Sequence, residues 1–318
     1  MNIQTDHWRA ARLTFLKGLG ATVTMVVMLV FSFSTPVIAS EPALPPIPAV
    51  LEPLNAKLTN GWYGFTGLYI NFRADQPLTE EQWKAIEGLG VKGISTGGKG
   101  INDEAVARFA TMNLEALGFD GAGTLTDGCF QHLAKIKGLQ RLSMGHMLQK
   151  EFTGSGLALL KDLPALEILT IAGSAVGNDA MKAIGELTQV KQFSNWHTRQ
   201  TDTKATYLLG MKGLKNLRLG RSGDRVAGKN QQALTDETLA TLAQLKSLED
   251  LALEEARLTL PAILRLKALP NLKNLTLKNC LDVPPEDIEK FRKELPGVVL
   301  QWKPMTEKDR EFLNNVLK

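Results

Sequence analysis

LTDETLATLAQLKSLEDLALEEA, residues 234–256, carries two rhythms that do not fit one local structure. Its leucines fall at Leu234, Leu239, Leu242, Leu245, Leu248, Leu251 and Leu253, so an interval of three gives way to an interval of two. A helix buries residues at i, i+3 and i+4, whereas a strand buries alternate residues. The stretch therefore reads as two elements joined by a corner. Thr235 or Asp236 caps a helix lined by Leu239 and Leu242, Leu245 and Leu248 carry the chain out of it, and Leu251 and Leu253 point inward from a short strand.

The pattern recurs along the chain. Copies start at Leu125, Phe152, Val176 and Leu258, and weaker ones at Leu78, Ile101, Gln200 and Val283, making about nine units over residues 78–303. Most starts lie 23 to 27 residues apart. A single unit cannot bury its apolar stripe, but stacked units bury it against each other, with strands pairing in parallel and helices lying outside.

The end of each unit, as in LKNLTLKNC at residues 272–280, resembles the L-x-x-L-x-L-x-x-N/C signature of leucine-rich repeat proteins. The T-D before the helix resembles the ribonuclease-inhibitor-like and cysteine-containing subtypes, whose bacterial copies run to about 24 residues. That resemblance implies an α/β fold, a right-handed horseshoe solenoid with a parallel concave sheet and convex helices, and a binding role in place of catalysis. Only Cys280 supplies the signature cysteine, and the units at Leu78, Ile101 and Val283 depart by one residue near the corner.

An open solenoid exposes leucines and a strand edge, so its ends need covers. GFTGLYINF, within a cap region at residues 61–77, alternates as a first strand without a helix of its own. TEKDREFLNNVLK, within residues 304–318, starts with a capping box at Thr306 and Asp309 and carries an apolar stripe, which predicts a terminal helix. Ahead of the repeats, Arg9, Arg12 and Lys17 precede an uncharged apolar run and the small residues of STPVIAS, the layout of a signal peptide over residues 1–39 cut after Ala39. The apolar run is short for a membrane span, although an uncleaved N-terminal anchor is the competing reading. Residues 40–60 are Pro-rich and read as a linker.

The 318 residues are 44% apolar and 22% charged, which is globular composition. Losing residues 1–39 takes the formal charge from +4 to +2, a balance that gives no general electrostatic reason to bind nucleic acid. The two cysteines, Cys129 and Cys280, fall several coils apart and read as free thiols. Nothing in the chain calls for a cofactor. Four histidines, one of them in the leader, form no evident zinc set. STGGKG at residues 95–100 lacks the spacing of a phosphate loop and reads as a strand-to-helix turn. Adjacent Glu254 and Glu255 would face opposite sides of a continuing strand, which disfavours a catalytic pair.

The candidate site lies on the concave face, at positions between and just after the strand leucines. Most of these are small, including Ser95, Gly118, Ser143, Thr170 and Ser194. The middle is different, since Trp196, His197, Arg218 and Arg221 fall on adjacent strands and Trp and Arg are enriched among interface hot spots. His146 and Arg225 complete the candidate set, the latter within an insertion, RSGDRVAGKNQQA, that lengthens one strand-to-helix loop by about ten residues. A variable loop whose Trp folds over a neighbouring coil is the alternative. Three functions fit: a secreted or periplasmic module that binds a protein or peptide on its concave face, a structural envelope protein, or a carbohydrate-binding protein or enzyme.

Overall fold

The computed structural model describes residues 43–62, 65–198, 202–220 and 234–316, so the expected signal peptide lies outside the described residues. Strands β1 (Lys57–Trp62) and β2 (Phe65–Arg73) form an antiparallel hairpin. From β2 onward every pairing is parallel and sequential: β3 (Gly93–Gly97), β4 (Ala116–Asp120), β5 (Arg141–Gly145), β6 (Ile168–Ala172), β7 (Gln192–Trp196), β8 (Asn216–Gly220), β9 (Asp250–Glu254), β10 (Asn274–Lys278) and β11 (Val299–Trp302). Between them run helices α1 (Glu80–Gly88), α2 (Asp103–Phe109), α3 (Cys129–Leu133), α4 (Asn178–Gly185), α5 (Asp236–Leu242), α6 (Leu260–Leu264) and α7 (Pro285–Glu294). After β11 comes α8 (Glu307–Val316). This is the leucine-rich-repeat solenoid, with a parallel sheet on one face and helices on the other.

Every leucine of residues 234–256 is 3% exposed or less. Burying one leucine side chain contributes about 1.5–3 kcal/mol, and each coil supplies several to one shared core. The strands stay in step because the carbonyl before each of β3 to β9 holds two amides of the next coil. Glu115 O accepts from Gln140 N (2.8 Å) and Arg141 N (3.1 Å), and Glu249 O repeats this with Lys273 (2.8 Å) and Asn274 (3.1 Å). Lys–Glu pairs reinforce this edge: Lys215 Nζ lies 2.9 Å and Lys273 Nζ 2.5 Å from Glu249, and their hydrogen bonds pull its carboxyl down to about 2.

The T-D residues divide their work. Asn102 and Thr235 cap their own helices, accepting from Ala105 N (3.0 Å) and Glu237 N (3.3 Å). The aspartates beside them reach to the following coil, where Asp103 accepts from Thr126 N (2.9 Å) and Asp236 from Thr259 N (2.9 Å). Two units, at Phe152 and Gln200, form 3-10 turns (Ser155–Asp162 and Asp202–Gly210) in place of α-helices. A Cβ on Gly210 would stand 2.2 Å from Gly185 O, so the Asp202–Gly210 turn packs backbone to backbone against the end of α4.

The signature position of Cys280 is held by Ser174 and Thr198 in two other coils and by the apolar Ala122, Met147 and Ala256 in three more. Ser174 donates to Ala172 O (2.9 Å) and Thr198 to Asn195 Oδ1 (2.9 Å), both buried. Cys280 and Cys129 are unpaired and buried. Burial raises both thiols, Cys280 to about 12, so neither is a thiolate at neutral pH.

Two expectations need revision at the N-terminal end. Residues 49–60 are not a linker: Ala49–Leu54 forms a 3-10 turn, Leu51, Leu54, Ala56 and Leu58 are buried, and β1 begins at Lys57. The apolar side chains interleaved with the prolines supply that anchor. The cap is a hairpin and not a lone strand, with its register shifted between Asn60 and Trp62 where Gly61 has φ of 103°. At the other end Thr306 Oγ1 accepts from Asp309 N (3.2 Å), and Leu313 buries itself with Leu281 and Met305, whereas Phe312 is half exposed.

The ladder makes a direct prediction. Leu251→Asp places a charge in the shared core and is expected to unfold the chain or cost several kcal/mol, on the order of 3 or more. Ala252→Asp, on the solvated face between Arg218 and Thr276, is expected to melt near the wild type. Circular dichroism melts compare them, and equal midpoints would refute this register.

Candidate functional site

The concave face is a grid with three columns. The middle column runs Asn71, Ser95, Gly118, Ser143, Thr170, Ser194, Arg218, Ala252, Thr276, Gln301. A later column contains Asp120, Gly145, Ala172 and Trp196, then Gly220, Glu254 and Lys278. Positions between and after the strand leucines leave out the earliest column, which includes Tyr69, Arg141, Asn216, Asp250 and Asn274. One step back from each first strand leucine, as from Leu251 to Asp250, reaches it by simple alternation.

The N-terminal half of this face is occupied by the cap. Trp62 stacks on Tyr69 with ring centroids 5.1 Å apart and planes 14° apart, and the Arg141 guanidinium lies 5.5 Å from the Trp62 ring. A Cβ on Gly118 would stand 2.9 Å from Trp62, and one on Gly93 would stand 2.6 Å from Tyr69. The small residues of these coils thus make room for the hairpin's aromatic rings. Trp62 gave no signal in the sequence, because its position depends on the fold of the hairpin.

In the other half the side chains are large and joined. The Arg218 guanidinium sits 4.5 Å from the Trp196 ring, and its Nη2 donates to Glu254 Oε1 at 2.8 Å. Lys278 Nζ lies 3.7 Å from the other oxygen of Glu254. A Cβ on Gly220 would stand 2.7 Å from Trp196 Cβ, so glycine there lets the Trp side chain leave the sheet. A row of contacts therefore runs Trp196, Arg218, Glu254, Lys278 across β7 to β10. Arg218 already has a carboxylate partner within the chain.

His197 and His146 occupy a special backbone position. The residue after each of several strands is left-handed, and it is glycine at Gly98, Gly121 and Gly173. His146 (φ 55°), His197 (φ 53°) and Glu255 (φ 52°) hold the same turn with a side chain, at a cost of about 1 kcal/mol each. His197 Nε2 donates to Glu255 Oε2 at 3.2 Å, and His146 Nδ1 donates to Asp120 Oδ1 at 2.5 Å. His197 thus joins the edge of the Trp196 row, whereas His146 is engaged on β4 and makes no contact with that row among the described interactions. Arg221 and Arg225 lie outside the described residues, as does the rest of the inserted loop.

A carboxylate beside an imidazole can orient it as a general base, but no hydroxyl or thiol hydrogen-bonds to either histidine among the described interactions. Among the described residues there is also no group of three or more His, Cys, Asp or Glu side chains suited to a metal ion. No helix there is long and apolar enough to cross a membrane.

No protein-family model and no curated protein matches the sequence. Solved structures similar to this chain include internalin C2 from Listeria monocytogenes, at 16% identity and a TM-score of 0.41, covering 72% of this chain and 84% of that one. Another is the Toll–Spatzle complex from Drosophila, at 14% identity and a TM-score of 0.47, covering 72% of this chain and 31% of that one. The assignment of the repeat rests on the strand ladder and the leucine spacing, and these likenesses add no argument to it.

Left-handed strain at a residue that glycine could fill gives a test. His197→Gly relieves about 1 kcal/mol of backbone strain and gives up a hydrogen bond worth about as much. Its unfolding free energy is expected to stay within about 1 kcal/mol of the wild type. Denaturant titration measures this, and a loss above about 2 kcal/mol would make His197 a structural residue.

Proposed function

We propose that this chain is an exported recognition module that binds a protein or peptide partner on the C-terminal half of its concave face. The observation that carries this reading is the row Trp196, Arg218, Glu254, Lys278, a set of large side chains held in place by each other on a solvated sheet. Side chains ordered before binding lose less entropy on binding. Trp and Arg also supply the largest contact energies at interfaces. Export rests on the leader at residues 1–39, and a periplasmic or secreted location follows from its cleavage.

Because Glu254 balances Arg218, recognition relies on the face of Trp196 and on the hydrogen-bonding edges of the row more than on net charge. The partner surface best suited to it presents an apolar or aromatic group ringed by polar ones. The experiment starts from the mature chain, residues 40–318, used to isolate a partner from the envelope fraction, and then titrates that partner by calorimetry. Trp196→Ala is expected to weaken binding by about 2 kcal/mol or more, whereas Lys182→Ala, exposed on the convex helix α4, is expected to change nothing. Equal losses would remove the concave-face reading and favour a structural role carried by the edges and convex side.

A further inference from the structure

Among the described residues the sheet ends at β11, which pairs there only with β10. Val299 N donates to Lys273 O at 2.8 Å, so alternation along a parallel strand turns the amides and carbonyls of Leu300 and Trp302 toward the open edge. Val299 is 60% exposed. After Trp302 the chain turns back: Met305 and Leu313 pack on Leu281, and Arg257 Nη2 donates to Asn314 Oδ1 at 2.9 Å. Helix α8 thus engages the loops that follow β9 and β10.

A cavity of about 500 Å³ opens at the exit end of β10 and β11, lined by Thr276, Lys278, Asn279, Gln301, Trp302 and Lys303 among others. That volume suits one or two peptide residues. Its charge is one-sided. Glu254, the carboxylate paired with Lys278, is shared with Arg218, while Lys303 makes no ion pair among the described residues.

We propose that β11 and this cavity form a docking site for the C-terminal end of an extended peptide, added as a further parallel strand with its terminal carboxylate at Lys278 and Lys303. Strand addition satisfies the open backbone groups, and charge selects the direction. A parallel peptide brings its carboxylate to the two ammonium groups, whereas an antiparallel one brings a free amino terminus to them. Trp302 supplies an apolar wall for the last side chain. This site shares Lys278 with the Trp196 row, but Trp196 and Arg218 take no part in it, so it does not depend on that reading.

The probe is an N-acetylated five-residue peptide of alternating threonine and valine with a free C-terminal carboxylate, compared with its C-terminal amide. Binding to the mature chain is followed by ¹⁵N–¹H shifts and calorimetry. The free acid is expected to shift the amides of residues 300–303 and to bind about fivefold or more tightly than the amide. Lys303→Glu, an exposed change whose folding is checked by circular dichroism, is expected to erase that preference, and Trp196→Ala is expected to retain it. No binding of the free acid at millimolar concentration, equal binding of acid and amide, or shifts confined to other strands would overturn the proposal. So would a concentration-dependent dimer abolished by Lys303→Glu, which would assign the edge to a second copy of the chain.

Discussion

Everything on the concave face depends on the parallel ladder that keeps each coil one strand away from the last in fixed register. Glu115, Glu249 and their equivalents hold two amides of the next coil at the start of its strand, and the leucine pairs such as Leu251 and Leu253 fill the core behind. A slip of one residue would exchange the buried and solvated sides of a strand. The leucines thereby decide which polar residues become neighbours, although they touch no ligand themselves. Trp196, Arg218 and Glu254 meet because the core behind them is in step.

The same ladder divides the face into two regions with different uses. Toward the N-terminus, Trp62 and Tyr69 lie on a floor of Gly93, Gly118 and similar small residues, so part of the solenoid's own cap fills the concavity. Toward the C-terminus no element of the described chain covers the strands in that way, and the side chains grow large and pair with one another. Small residues on one side and large ones on the other are therefore two answers to one steric question.

Much of the fold was legible because leucine spacing reports burial directly. The change of interval within residues 234–256 marks the end of α5 and the inward residues of β9. Of the cap hairpin only β2 was legible; β1 and the turn before it were not, because Leu51 and Leu58 sit among prolines and polar residues without a sustained period, although both are buried in the folded chain. Trp196 and Arg218 were legible as neighbours, since they follow from strand register. The pairing of Arg218 with Glu254 was not, because it depends on rotamers reaching diagonally across strands. His197 was legible as a candidate but its left-handed backbone was not, since only comparison with Gly121 and Gly173 in the folded chain shows what that position demands.

Cysteine pairs on the solvated face measure the register most directly. Ser143 and Thr170 are register partners on adjacent strands, whereas Ser143 and Ser194 are separated by a strand, and cysteines with Cα atoms more than about 7 Å apart cannot bridge without backbone movement. The native thiols are buried and do not compete. Under mild oxidation the Ser143→Cys/Thr170→Cys variant is expected to form an intramolecular disulfide in the folded chain, and Ser143→Cys/Ser194→Cys is expected to remain reduced. Bridging of the separated pair as readily as the adjacent one would contradict the ladder and, with it, the placement of every residue on the concave face.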